Sequence, residues 1–561
     1  MAGRPRLPGL ANTAFVAVVV VLVAAVALTA RQAPPPTVAE FAPQAVEQIE
    51  EALPEQADAV GDEGEGGGVA VPEASEEPEP TEEPDEVTPT EVTTEPDVIE
   101  RPRVRDCIGS PPRQTQDPQS PPCVPYFDGD NGGETWQGVT GDEIRVAYPV
   151  LDFFGPEPTH LVNGMLDHFN KRYEFYGRKI VLVEYPEVAF GPPDPPEMIA
   201  DAVMVDEELQ AFASLGYGSR ENAEHHYYDE LARRGVVSVS AGVLSLGTEE
   251  RYNRFGPHEW TWGGSVSMRF ALTGDFICST LAGKPPVGGT WPVLQPETRT
   301  FGVVVTRAAD GTIPDVSEVV DRMTACGHAP AVLVEDDATN PQGPNIMQQM
   351  SDAGVTSVIC LCAHLAVLRG NYMESASRRG YFPEWVVTGF GAEDGDNSFM
   401  AGQAPQEQAA SVLGVTFHDR FLPRQQMPWY WALRESMPDQ DPTGAVYYSL
   451  IGRYLQLLNL ASGIQMAGPN LTPETFEQGL QNAVFPNPGA GAAPYFQAAI
   501  DFRNNHTARA SAALFWYSTT DNGVIQPEQP GAVCYLDGGT RYRLGEFPTE
   551  QQPFFQEPCI R

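Results

Sequence analysis

The residues Gly216-Tyr217-Gly218-Ser219-Arg220 are the most chemically suggestive run in the chain. An apolar stretch that reads as a strand precedes them, and a stretch with helical periodicity follows. Backbone N–H groups at such a strand-to-helix turn suit a carboxylate or another anion. Ser219 can donate a hydrogen bond to that anion and Arg220 can pair with it. The alternative is that Ser219 caps the following helix and Arg220 faces water. Motifs for covalent or metal chemistry are absent. Gly216-Tyr217-Gly218-Ser219 does not have the spacing of a nucleophile elbow. No Walker A sequence and no H-E-x-x-H sequence occurs. His225 and His226 are adjacent, so on a helix they diverge by about 100° and make poor joint ligands. Asp128-Gly129-Asp130-Asn131-Gly132-Gly133 has the look of a calcium loop, but its twelfth position is Val139 where a bidentate Glu is required. That run reads as a turn. Cys360-Leu361-Cys362 is too tight for the usual zinc or redox spacing. No catalytic residue, metal or cofactor is expected, and a conventional hydrolase or metalloenzyme has little support.

The elements that would position these residues alternate strand and helix from about residue 140 onward. Strands are expected at 144–151, 179–185, 211–216, 236–240 and around Trp260 to Trp262. Helices are expected near 160–174, 197–210, 221–234 and 265–282. Leu161, Met165, Leu166 and Phe169 fall at helical spacing in the first of these. A second series has strands at 301–306, 331–335, 357–361 and 385–388, with helices near 314–326, 345–353 and 364–379. A strand at 412–416 is expected to return toward the first series. Helices near 428–437 and 444–463 follow, then strands near 498–502 and 512–517. Two α/β series imply two Rossmann-like lobes with crossovers between them. In parallel sheets ligands bind outside the carboxyl ends of the strands.

Three sequence features carry a family resemblance. They are the opening Gly138-Val139-Thr140 with Asp142, Ile144, Arg145 and Val146; then His168-Phe169-Asn170; then Gly177-Arg178-Lys179-Ile180. In this order the chain resembles the type I periplasmic binding proteins, and among them the leucine/isoleucine/valine receptors of ABC importers. The likeness runs with gaps from about Asn131 to about Asn482. It implies two lobes with a hinged cleft between them, a small organic ligand such as an amino acid or carboxylate, and a membrane permease as partner. It also carries ligand contacts onto the loops after the strands: Phe153 and Phe154, then Tyr217, Ser219 and Arg220, then Ser240 and Gly242. On the second lobe it implies that Glu393 or Asp394 pairs with a ligand ammonium group, the alternative being an exposed acidic loop. His364 falls near an aromatic polar contact, or simply starts a helix. Where those receptors often present a Tyr, this chain has Arg307, which either contacts an anion or faces water. Trp260 and Trp262, with Phe153, Phe154 and Tyr217, either line an aromatic cleft or pack in the core. A sensing ectodomain, and an enzyme or wall-associated structural protein on the same lobes, are the rival readings.

Charge and cysteine content set the compartment. The chain has 561 residues and a formal net charge of −42. Residues 32–100 contain 21 Asp and Glu and no Lys or Arg, and the remainder is still acidic. Nucleic acid is therefore not an expected partner, because phosphate neutralisation needs clustered cations. Residues 1–31 read as a signal peptide or a signal-anchor: Arg4 and Arg6 precede an apolar run from Ala14 to Ala30, and Ala25-Val26-Ala27 fits a cleavage site. Membrane attachment would follow only if that run is retained. Residues 32–105 read as a disordered acidic linker. Residues 106–137 form a Pro-rich lead-in. The two-lobed domain spans 138–484, with the first lobe at about 138–282 plus segments after 412, and the second at about 300–411. Residues 485–561 close the fold. An extracytoplasmic, cell-surface location and a monomeric state are expected. Eight Cys in an exported chain suggest disulfides. Cys107 with Cys123, Cys278 with Cys326, and Cys534 with Cys559 are the expected pairs. Cys360 and Cys362, two apart on a strand, would hold their side chains about 6.6 Å apart and are expected as buried thiols.

Overall fold

The computed structural model describes residues 105–560 apart from 115–119, 151–158, 187–194, 218–223, 241–246, 291–294, 308–311, 363–364, 390–393, 401–403, 443–444, 486–501, 504, 508–510 and 557. The expected signal segment and nearly all of the acidic linker lie outside the described residues. A small hairpin opens the described chain, β1 (Cys107–Ile108) against β2 (Arg113–Gln114). The Cys107–Cys123 bridge closes this lead-in.

The first sheet consists of β3 (Glu143–Val150), β4 (Lys179–Pro186), β5 (Ala213–Leu215), β6 (Val237–Ser240) and β7 (Glu259–Thr261). Its order is β4-β3-β5-β6-β7, and every pairing is parallel. Such a sheet needs helices on both faces, which is why its central strands read as apolar runs. Helix Thr159–Arg172 buries Leu161, Val162, Met165, Leu166 and Phe169 on one face of it. On that face it meets helices Pro428–Ser436 and Ala445–Ala467, which the chain supplies some 260 residues later. Helices Pro195–Glu207 and His225–Arg234 cover the other face.

The second sheet contains β8 (Phe301–Arg307), β9 (Val332–Asp337), β10 (Ser357–Leu361), β11 (Glu384–Val387), β12 (Val412–Thr416), β13 (Ala512–Asn522), β14 (Pro530–Tyr535) and β15 (Arg541–Tyr542). The order is β14-β13-β12-β11-β10-β8-β9, with β15 paired to β13. Strands β8 to β12 run parallel, and β13 to β15 add antiparallel neighbours. Strand β12 corrects the expectation that residues 412–416 return to the first lobe: it pairs in parallel with β11. Its five residues are all buried, and only an interior position of a two-sided sheet satisfies such a run.

The hydrophobic cores divide the chain at three places. The buried residues of one pair of apolar clusters come from 139–262 and 422–502, those of the other pair from 266–417 and 512–554; partly buried Ile525, between β13 and β14, packs against the first pair. The chain therefore passes between lobes at 263–265, at 418–421 and between Thr507 and Ser511. Thr507 still bridges Thr261 beside the first sheet, while Ala512 opens β13 of the second.

Four disulfides are formed. Cys278–Cys326 and Cys534–Cys559 pair as expected. Cys360 and Cys362 are bridged to each other, contrary to the expectation of two thiols. Strand β10 ends at Leu361, so Cys362 is already off the pleat, and the Cα atoms close to 5.0 Å.

Candidate functional site

The candidate residues lie at the carboxyl ends of parallel strands in each of the two sheets. On the first lobe β3, β5 and β6 end side by side, and one buried cation holds two of those ends. Arg453, from helix Ala445–Ala467, donates through Nη2 to Pro149 O at 2.6 Å and through Nη1 to Gly216 O at 2.9 Å. Nη1 also donates to Gln456 Oε1 at 3.0 Å, and the guanidinium lies over the Tyr148 ring, 4.7 Å from its centre. Arg453 is 1% exposed. Burying a guanidinium is costly unless it is hydrogen-bonded, and strand-end carbonyls serve that need. The helix approaches so closely that a Cβ at Gly216 would collide with the Gln456 amide. A side chain at 216, the start of the expected anion loop, would have to displace that amide.

Tyr217 is described, and its ring is enclosed between the first sheet and its outer helices. It stacks on Tyr227 with ring centres 4.4 Å apart and donates its hydroxyl to Asp201 Oδ2 at 2.9 Å. Tyr228 Oη accepts from Tyr217 N at 2.9 Å and donates to Tyr217 O at 3.0 Å. Behind them Tyr227 Oη bridges Tyr185 Oη and Ser214 Oγ, each at 2.7 Å. Burial pushes the Tyr185 and Tyr228 hydroxyls well above their usual range and raises the Asp201 carboxyl. This tyrosine lattice anchors the strand end just before residue 218. Ser240 is the last residue of β6 and is buried; its carbonyl accepts from Trp262 N at 3.0 Å. Trp260 and Trp262 have no exposure and belong to the first lobe's core, the core-packing alternative.

On the second lobe Asp394 is the described acid. It is 1% exposed and accepts a hydrogen bond from Thr416 Oγ1, at the end of β12. His418 Nε2 stands 3.6 Å from its other oxygen. His418 N donates to Thr416 Oγ1 at 3.2 Å. Gly389, after β11, has φ +61°, and a Cβ there would lie 2.6 Å from the Asp394 carboxylate. Thr388, beside Gly389, is also buried, and its hydroxyl has no hydrogen-bond acceptor or donor among the described residues. Asp394, Thr416 and His418 thus form a polar cluster at the end of β12, and Thr388 follows the end of neighbouring β11. Arg307 closes β8, partly exposed, with Nη2 4.0 Å from Glu335 on neighbouring β9. An exposed pair at that distance contributes little to stability.

Phe153, Phe154, Ser219, Arg220, Gly242, His364 and Glu393 lie outside the described residues. Sequence reasoning missed Arg453, Thr416 and His418. Arg453 did leave a signal: it is a lone cation in a long apolar helix, with Gln456 one turn on. His418 left none, because its role comes from a residue in a different loop. Two metal-like groupings carry no site. In the Asp128–Gly133 run, Asp130 and Asn131 accept from Gly132 N and Gly133 N, and Arg178 Nη2 donates to the Asn131 and Gly133 carbonyls, so the run is a pinned turn. Asp521, Cys534 and Cys559 lie close together, but both Cys are in a disulfide and offer no thiolate.

No family model matches the chain, and no curated protein matches it. Solved structures do. An ABC transporter substrate-binding protein from Sphaerobacter thermophilus is 13% identical with a TM-score of 0.50, over 73% of this chain and 100% of that one. A solute-binding protein of an ABC transporter from R. palustris, in complex with 4-hydroxybenzoate, is 12% identical with a TM-score of 0.48, over 70% and 97%. A periplasmic binding protein type 1 from Bordetella pertussis Tohama I is 11% identical with a TM-score of 0.47, over 70% and 99%. At such identities the likeness is one of architecture. Two α/β lobes, one around a parallel sheet and one around a mixed sheet whose β8 to β12 run parallel, give this chain the fold of the type I periplasmic binding proteins.

Proposed function

We propose that this chain is an extracytoplasmic solute-binding protein that captures a small organic molecule between its lobes and presents it to a membrane permease. The observation that carries the reading is the partition of the cores. Among the described residues the buried cores of the two lobes draw on separate stretches of chain, with Ile525 reaching across from the second to the first, so each lobe can keep its interior while the angle between them changes. A ligand touching both lobes favours the closed arrangement because only there are all its contacts made. The described chemistry suits binding on the second lobe, where a buried carboxylate stands at the strand ends, while Arg453 on the first lobe is engaged by strand-end carbonyls and positions the loop at 216. An amino acid would place its ammonium group toward Asp394 and its carboxylate, like that of a carboxylate-bearing relative, toward the loop at Ser219 and Arg220. Ser219, Arg220, Ser240 and Gly242 contribute on the first lobe, with Glu393 and His364 on the second. Four disulfides suit an oxidising compartment. Among the described residues no helix is long and apolar enough to cross a membrane.

The test is a panel of the twenty amino acids and small carboxylic acids, read by thermal shift and by small-angle scattering. The expected result is a solute that raises the melting midpoint and reduces the radius of gyration together. A protein whose dimensions stay constant with every solute that stabilises it would remove the hinge from the account.

A further inference from the structure

The residues after β13 hold two of the three crossovers together, and one side chain does most of it. Arg541 lies in β15, paired antiparallel with the start of β13. Its Nη1 donates to His418 O at 2.7 Å, and its Nη2 donates to Phe417 O at 3.2 Å and to Ser511 O at 2.6 Å. Nε adds Ser511 Oγ at 3.3 Å. Phe417 is the last residue of the second lobe's core before the second crossover, His418 begins that crossover, and Ser511 ends the third. A single planar guanidinium therefore bridges two chain segments that are distant in sequence.

The same C-terminal segment grips the second crossover twice more. Tyr535 Oη accepts from Phe421 N at 3.4 Å. Gly538 O accepts from Arg420 Nη1 at 3.3 Å, and the Arg420 guanidinium lies 5.8 Å from the Tyr535 ring centre. Tyr535 in turn is fixed by its place in β14, by the adjacent Cys534–Cys559 bridge, and by its N–H, which donates to Ile560 O at 2.8 Å. The first crossover has its own separate cation, Arg269, whose Nε donates to Gly264 O at 3.0 Å.

Crossovers are where a two-lobed protein absorbs the torsion changes of lobe motion. Hydrogen bonds to their carbonyls resist those torsions. Pairing of Thr416 with Ala513 already sets these two crossover ends side by side on the second lobe, and the fork of Arg541 fixes the peptide planes of Phe417, His418 and Ser511 just beyond the ladder, so torsion changes that start there must break at least one bond. We propose that Arg541 is a positioning residue for the interlobe hinge, through which the C-terminal β14–β15 segment sets the balance of lobe arrangements. This rests on the reading of the protein as a two-lobed solute binder.

The experiment uses the whole chain with one introduced Cys on each lobe, Glu207→Cys and Asp352→Cys, both exposed. No free cysteine is present among the eight native ones, so the two new thiols take spin labels selectively. Interlobe distance distributions are then compared for the parent, Arg541→Lys and Arg541→Met. Amide exchange at residues 417–422 is read alongside. Arg541→Met is expected to broaden the distribution and shift the ratio of lobe arrangements roughly tenfold, the scale of a lost charge-assisted hydrogen bond. Exchange at 417–422 should rise with it. Arg541→Lys keeps the charge without the fork and is expected between the two. If Arg541→Met does not fold, Arg541→Lys and Ser511→Ala carry the comparison. A folded Arg541→Met or Arg541→Lys with the parent's distribution overturns the role of Arg541. A parent that holds one narrow distance in every variant and with every solute overturns the hinge itself, which is a separate outcome.

Discussion

Glu384→Gln tests the structure where its electrostatics are most exacting. Glu384 opens β11, and Arg299 lies just before β8; neither side chain has any exposure. The carboxylate accepts from Arg299 Nε at 2.7 Å and Nη2 at 3.0 Å, from Ser357 Oγ at 2.8 Å, and from the backbone N–H groups of Val287 at 3.0 Å and Gly288 at 3.3 Å. Glutamine keeps the shape but removes the charge and turns an NH2 group toward those donors. Removing one partner of a buried pair costs about 3–5 kcal/mol, chiefly because the other charge is left buried and uncompensated. We expect a loss of about 4 kcal/mol in the stability of the second lobe. At a urea dependence of about 3 kcal/mol per molar, the midpoint should fall by roughly 1 M. Urea titration followed by circular dichroism and tryptophan fluorescence reads it, with buried Trp385 next to the altered residue. The double variant Arg299→Met with Glu384→Met should recover most of the loss, since apolar residues of similar volume often replace a buried pair at little cost. A Glu384→Gln midpoint close to the parent, or a double variant as unstable as the single one, refutes the reasoning.

Three further outcomes are expected. Gly216→Ala should cost about 1–3 kcal/mol in a urea titration, because its Cβ meets the Gln456 amide; an unchanged midpoint would show that the helix Ala445–Ala467 can retreat. Burial lowers both His258 and His506 below the usual 6.5, outweighing the acidic groups around them. The unfolded chain then takes up protons first, so stability is full above about pH 6.5 and lost as pH falls through the folded values; equal urea midpoints at pH 7.5 and 5.5 would contradict this. Asn459 is wholly buried, and neither of its amide atoms has a hydrogen-bond partner among the described residues. Asn459→Leu should therefore be neutral or stabilising by about 1 kcal/mol in thermal unfolding, and a marked loss would mean that the amide is satisfied in solution.

Local pattern made the two α/β series legible. Apolar runs such as 301–306 and 357–361 read as strands because a parallel sheet buries both faces, and the spacing of Leu161, Met165 and Phe169 reads as helix because 3.6 residues make a turn. Three disulfide pairings were legible from position alone. The fourth was not, because the bend after Leu361 is not written in a Cys-x-Cys spacing. Of the expected site residues, Tyr217, Ser240 and Asp394 have described surroundings, and those surroundings come from neighbouring elements rather than from the same loop: Tyr228 and Asp201 around Tyr217, and Thr416 and His418 around Asp394. Which sheet receives β12, which face a Trp takes, and which carbonyls Arg453 and Arg541 hold were decided only on assembly. Periodicity is a property of neighbouring residues and survives in any window of the sequence. A buried charge or a crossover is defined by atoms hundreds of residues apart, and only the packing of the lobes brings those atoms within hydrogen-bonding distance.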